Sequence, residues 1–243
     1  MGPALVSVVM TNFNYGRFIA ESVESIVAQT YRPLQLILVD DASEDDSRER
    51  IERLQQRHKS RFQGFTVVLL DENRGINGAL NRAIAEVGGE ATAVLDADDR
   101  FAPDYLERTA ALLFAGSPSL GFVYTDCALI DDQGRSLGFG HSNAFDAELL
   151  REKSYIPGCG TTKTEALMAA MPLDESIEVA TKVYRWRDIV AHGFVGLHIP
   201  EPLFFYRMHG ANVSGIGRRI IADLNAGNQS AILSGYWQSH DPK

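Results

Sequence analysis

The sequence predicts an α/β fold, a mostly parallel sheet flanked by helices with a mixed second half. Three observations carry that prediction. Four apolar runs, "LVSVVMT", "LQLILV", "FTVVLL" and "TAVL", alternate with segments of helical periodicity in the first half of the 243-residue chain, the pattern of a parallel sheet. Each run is followed by a polar or acidic stretch: "TNFNYG", "DDAS", "DENRG" and "DADD". Ligands of such sheets bind beyond the carboxyl ends of the strands. Finally, Asp96, Asp98 and Asp99 crowd into four residues directly after the fourth run, and like charges that close resist burial unless a cation joins them.

The elements follow in order. Leu5 to Thr11 is a buried-strand pattern, and Phe18, Ile19, Val23, Ile26 and Val27 recur at helical spacing between Arg17 and Gln29. Leu34 to Val39 is the second strand. "SEDDSRERIERLQQRH" is an amphipathic helix with its acids early, where the helix dipole favours them. Phe65 to Leu70 is the third strand, Ile76 to Val87 the third helix and Thr92 to Leu95 the fourth strand. Pro103 opens a helix to Phe114, since proline suits a first turn. Beyond it, "GFVYTDCALI" reads as a strand, "DDQGR" as a turn into another, and Lys163–Ala170 and Thr181–His192 as helices. "VGLHI" and "LFFYRM" read as two short strands, and Arg218 to Leu233 as a closing helix. With no internal repeat and no linker, residues 1–243 read as one domain, with a ligand-binding half over 1–115 and a second half over 116–243.

Composition narrows the function. Hydrophobic residues make up 45% and charged residues 23%, ordinary for a globular protein. The net charge of −9, without a block of Lys or Arg, argues against a nucleic-acid partner and leaves room for bound cations. Cys127 and Cys159 lack zinc spacing and read as small buried hydrophobes. No stretch is long enough for a membrane helix, and no signal peptide is evident. The expected location is the cytoplasm, including the inner face of the membrane, where peripheral docking needs only a surface patch.

The acids after the fourth strand suit Mg²⁺ or Mn²⁺, which take one or two carboxylates and complete their shell with phosphate and water. The plainer alternative is that they cap the next helix. "DDAS" has two readings as well: Asp41 accepts hydrogen bonds from a nucleobase or ribose, or Asp41 or Ser43 is an N-cap. Phe13 either offers a stacking face to a base or is a core aromatic.

Taken together and in this order, "VSVVMTNFNYGRFIAESVESIVAQTY", "LILVDDASEDDS", "DENRGINGALNRAI", "AVLDADDRFAPDYL" and "IPEPLFFYRMHGANVS" resemble the family 2 glycosyltransferases of GT-A fold. The resemblance implies transfer of a sugar from a nucleotide sugar, usually a UDP-sugar, to the hydroxyl of a saccharide or lipid-linked acceptor. It also implies that Thr11, Phe13, Asn14, Asp41, Asp96, Ala97 and Asp98 line the nucleotide. Phe13 would stack on the base and Asp41 would bind it. Asp98 would bind the metal, with Asp96 holding ribose or ordering the metal site. His209 would approach the metal or diphosphate; its plain reading is a histidine in a surface loop.

One position departs from the family. An inverting transferase needs a base for the acceptor hydroxyl, and the family places it in a Glu-Asp pair opening a helix before a Trp. Here Trp186 and Gly193 fit that pattern without a gap, and the pair falls on Thr181 and Lys182. An ordinary lysine is protonated at neutral pH and takes no proton. Glu178 lies four residues before Lys182; on a continuous helix they share a face, so Glu178 is either a substitute base or a surface ion-pair partner. The sequence therefore leaves three expectations: a transferase with a displaced base, a transferase whose mechanism needs no protein base at this position, such as a retaining one, or a nucleotide-sugar-binding homologue with weak or no activity. A nucleotidyltransferase on a similar sheet is the reading outside glycosyl transfer, against which "TNFNYGR" is not a Gly-rich, basic phosphate loop.

Overall fold

The computed structural model describes residues 2–178, 181–210 and 212. Its first half alternates as the apolar runs predict: β1 (Val6–Asn12), α1 (Gly16–Val27), β2 (Leu34–Asp40), α2 (Ser47–His58), β3 (Gly64–Leu69), α3 (Gly75–Ile84) and β4 (Ala91–Asp96). A two-residue strand β5 (Arg100–Phe101), α4 (Tyr105–Ala115), β6 (Leu120–Ile130), β7 (Ser136–Gly140) and α5 (Ala147–Glu152) follow. The described part closes with β8 (Gly160–Lys163), α6 (Thr164–Ala169), α7 (Thr181–Ala191) and β9 (Val195–Arg207).

Among the described residues the strands form one sheet in the order β3-β2-β1-β4-β8-β6-β9-β5, with β7 also paired to β6. The β3-β2-β1-β4 part is parallel. Strand β8 runs antiparallel between β4 and β6, and β9 lies parallel to β6. Alternation along the strands divides the core. Val8 and Met10 of β1 join Leu36, Leu38, Ile19, Val23 and Leu106 on one face. Val9 joins Ile37, Leu80, Phe122, Leu167 and Trp186 on the other. Strands buried on both sides read as continuous apolar runs, which is why this half is visible in the sequence.

Several expectations change. "VGLHI" and "LFFYRM" are one strand, β9; its register to β6 jumps from Thr125–Ile199 to Asp126–Pro202, so a bulge absorbs the prolines. Pro103 lies in the turn before α4, and Asp104 holds the N-cap position. Lys163 ends β8 rather than opening a helix. Asp46 precedes α2, so neither Asp41 nor Ser43 caps it. The expected helix over 218–233 lies outside the described residues.

Helix α7 docks through Trp186, which is 1% exposed, stacks on Phe122 at 4.8 Å and donates its indole N–H to the Pro157 carbonyl at 3.0 Å. Gly193, at φ 88°, then turns the chain out of the helix and into β9, a conformation glycine adopts freely. Trp186→Ala should destabilise the fold by about 3–5 kcal/mol, read as a lowered denaturant midpoint; an unchanged midpoint would show that α7 does not depend on this anchor.

Candidate active site

The polar residues gather at the carboxyl ends of β1, β2 and β4. Strand β4 ends at Asp96, and the chain turns at once through Ala97, Asp98 and Asp99 into β5. Ligand oxygens of Asp96, Asp98 and Asp99 all lie within 4.8 Å of one another. None caps α4, whose N-cap position is Asp104, so the capping alternative falls. The turn is held from below: Ser22 of α1 donates its hydroxyl to the Ala97 carbonyl at 2.7 Å.

The turn is braced from the end of β9. Arg207, fully buried, donates its backbone N–H to Asp99 at 2.8 Å and its Nε–H to the Asp98 carbonyl at 2.8 Å. Its Nη2 reaches Glu21 of α1 at 2.6 Å, and its guanidinium lies 4.7 Å from the centre of the Phe18 ring. His209 is 2% exposed, and its Nε2 bonds Asp98 Oδ2 at 3.0 Å, so the surface-loop reading of this histidine is overturned. Because an ionised carboxylate oxygen only accepts, Nε2 carries the proton in that bond. The Asn212 amide also reaches Asp98 Oδ2, at 3.4 Å. The other Asp98 oxygen accepts no hydrogen bond among the described residues. Burial, with Asp98 and Asp96 crowding it, pushes the Asp99 carboxyl well above the usual range. Burial, then Asp98 and Asp96, likewise raises the Tyr15 hydroxyl, which places Tyr15 beside the acids.

Lys182 comes from the opposite side, at the start of α7, and forms an ion pair with Asp96. Burial pushes its pKa down, but Asp96, Tyr206 and Asp99 outweigh that and raise it, so the side chain is a cation. It reaches the acids across Gly158, where a Cβ would lie 2.0 Å from Lys182 Cδ. Any side chain at 158 would collide with the lysine. Arg185 donates to the Gly158 carbonyl at 2.7 Å and braces the same loop.

Glu178 is not with them. It is exposed, lies before α7 in a segment without helix, and makes no ion pair among the described residues. The continuous helix that would align it with Lys182 is absent at Glu178, and Lys182 pairs with Asp96 instead.

The remaining expected residues line the ends of β1 and β2. Phe13 is 43% exposed, so it is not a core aromatic. Asn14, at φ 58°, accepts from the backbone N–H of Glu44 at 2.8 Å and of Asp45 at 3.3 Å, tying the two loops together. Thr11 is half-buried in β1, paired in register with Val39 and Asp96. Asp41 is 3% exposed and accepts the Arg74 backbone N–H at 2.7 Å. Burial raises its pKa, against the pull of that N–H. Asp40 beneath it is taken up by Asn12, Ser43 and Arg48. Arg207, Asn212 and Tyr15 were not singled out in the sequence, although all lie inside the quoted motifs.

This geometry can be set beside known proteins. The glycosyl transferase family 2 model matches residues 7–167. The chain belongs to that family. A glycosyltransferase of Nostoc sp. without an assigned role is 29% identical over 242 residues, covering 93% of this chain and 72% of that protein. A Bacillus subtilis glycosyltransferase provisionally assigned to teichuronic acid biosynthesis is 29% identical over 214 residues, covering 86% of this chain and 81% of that protein. Among solved structures, the Pyrobaculum calidifontis mannosyltransferase PcManGT, in complex with GDP-Man and Mn²⁺, superposes with a TM-score of 0.68 at 20% identity. That match covers 95% of this glycosyltransferase but 64% of the PcManGT chain, so the protein spans under two thirds of that neighbour. S. aureus TarS in complex with UDP gives 0.68 at 16% identity, over 94% of this chain and 69% of that one. The fold is therefore GT-A, as the resemblance implied.

The donor set of this glycosyltransferase fits a divalent metal: clustered carboxylate oxygens, one of them on Asp98 without a hydrogen-bond partner among the described residues. Asp98→Asn should keep the fold but weaken Mn²⁺-dependent UDP binding by about 10-fold, equivalent to ~1.4 kcal/mol; equal affinity of variant and parent by calorimetry would show that Asp98 is not the ligand. Lys182→Met should tighten Mn²⁺ binding without nucleotide by about threefold or more, since Asp96 is released and a like charge leaves the site. Weaker Mn²⁺ binding by the variant would show that the ion pair supports the metal site rather than competing with it.

Proposed function

We propose that this glycosyltransferase transfers a hexosyl group from a UDP-sugar to the hydroxyl of a saccharide or lipid-linked acceptor, with inversion at the anomeric carbon. The observation that carries the reading is the buried acid turn after β4, braced by Arg207 and His209 and standing beside Asp41 and the exposed ring of Phe13. Phe13 stacks on the base, and Asp41, held in place by the Arg74 N–H, accepts from the uracil imide. Thr11, Asn14 and Ala97 shape the same pocket. Asp98, with Asp96 beside it, holds Mg²⁺ or Mn²⁺, and His209 orients Asp98 and faces the diphosphate. A bound divalent ion supplies Lewis-acid charge to the leaving diphosphate.

The names of relatives support polysaccharide synthesis as the setting: one is assigned to teichuronic acid biosynthesis, and a Myxococcus xanthus relative is named an O-antigen biosynthesis protein. Among the described residues no helix is long and apolar enough to cross a membrane. The proposed place of action is the cytoplasm, at the inner face of the membrane when the acceptor is lipid-linked.

Lys182 stands at the family's base position and is committed to Asp96, so it does not take the acceptor proton. That observation favours a second reading, a nucleotide-sugar-binding homologue with little turnover.

Competition binding with UDP, GDP and ADP in Mn²⁺ tests the donor class. Adenine offers no imide N–H, which leaves Asp41 unpaired at a cost of about 1–3 kcal/mol; guanine does offer one and is excluded by size. UDP should bind most tightly. A preference for GDP would overturn the UDP assignment, and UDP release from a UDP-sugar panel separates enzyme from binding homologue.

A further inference from the structure

Outside the acid turn, a second polar constellation is built on β6. Asp126 is 3% exposed and accepts three hydrogen bonds: from His198 Nε2 at 2.8 Å, from the Ser142 backbone N–H at 2.9 Å and from His141 Nδ1 at 2.9 Å. His198, half-buried with its side chain 9% exposed, stacks on Tyr124 at 5.0 Å. The His141 side chain is 61% exposed. Carboxylate oxygens only accept, so His141 carries its proton on Nδ1 and its neutral form leaves the Nε2 lone pair open. A surface histidine does not need a buried carboxylate to fold. A base whose tautomer must be fixed does.

The sheet register places this pair at the active site. Ala93 of β4 and Val123 of β6 both pair with Thr161 of β8. Counting three residues on along each strand, Asp96 and Asp126 stand at the same level, two strand columns apart, about 10 Å. Strand β9 takes one edge of β6 along its length, so β7 shares the other edge with β8. Gly140 pairs with Cys127, which puts His141 opposite Asp126 in the column between β6 and β4. There β7 leaves the sheet and the chain returns through Gly158 and Cys159 into β8. Lys182 crosses that same loop at Gly158 to reach Asp96. The Cys127 thiol gives a consistent measure: burial raises it most, Asp99 raises it further, and Asp126 adds to that against the Gly140 N–H. One buried atom thus lies within electrostatic reach of both sites.

We propose that His141, positioned by Asp126, is the general base for the acceptor hydroxyl, on the side of the site where the family carboxylate has become Lys182. The inference rests on the transferase reading above. In the step, the hydroxyl proton passes to His141 Nε2 as the hydroxyl oxygen bonds to the anomeric carbon. The bond from that carbon to the diphosphate oxygen breaks, and its electron pair leaves with the nucleoside diphosphate. The Nδ1 proton stays on the His141 ring, where Asp126 accepts its hydrogen bond and stabilises the imidazolium, which then gives its Nε2 proton to water.

The test uses water as acceptor: UDP or GDP release from a panel of UDP- and GDP-sugars with Mn²⁺, beside calorimetric nucleotide affinity. His141→Ala should slow release about 10²-fold with affinity within about twofold of the parent, and added imidazole should restore part of the rate. His192→Ala, at the exposed end of α7, should change neither. An unchanged rate in His141→Ala overturns the inference, as does a loss shared by nucleotide affinity and untouched by imidazole. A parent that binds nucleotide yet turns over no donor also overturns it, because a placed base has water to activate. A parent that binds no nucleotide at all overturns the transferase reading itself, and this inference with it.

Discussion

Three carboxylates in one buried turn are the constraint around which the rest of this site is arranged. Such a turn is unfavourable unless positive charge and N–H groups are brought to it. Lys182 and His209 pair with the carboxylates themselves, and Arg207 fixes the turn from a distant part of the chain: it bonds the acid turn, the first helix and the carbonyls of Asp131 and Asp132 at once. A guanidinium suits that task because its donors form a rigid fork that can serve several acceptors. The end of β9 is thereby drawn against the end of β4, and the two halves of the sheet share one polar centre.

The parallel half was legible because β1, β2 and β4 are buried on both faces and need no alternation. The second half was less so for reasons that can be named. Strand β8, "GTTK", is short and rich in threonine, and its burial comes from lying between β4 and β6 rather than from its own apolar content. Strand β9 carries Pro200 and Pro202, which read as breaks until the bulge against β6 is seen. Helix α5 is six residues long, too short for a periodic signal.

Within the site, Asp96 and Asp98 were legible because carboxylates crowded at the end of an apolar run are costly there unless a cation joins them. His209 was ambiguous from its loop, and its burial against Asp98 removes the surface reading. Arg207 gave no signal, since a single buried cation has no periodicity and its partners in the acid turn lie more than a hundred residues away in sequence. Glu178 misled because helical spacing does not hold before the point where the helix begins. The pairing of His141 with Asp126 depends on where β7 leaves the sheet, a property of register that no local pattern encodes.

The contact between Gly158 and Lys182 has an evolutionary consequence. The lysine reaches Asp96 only because position 158 carries no side chain. A Gly158→Ala change would push the ammonium aside without touching a single charged residue. The electrostatic character of this side of the acid turn is thus under the control of a neutral position on a different segment. Relatives in which lysine or a carboxylate opens this helix are expected to differ at residue 158 as well, glycine accompanying the long cation and bulkier residues becoming tolerable beside a shorter acid. Sequence changes at the two positions would then be inherited as a pair.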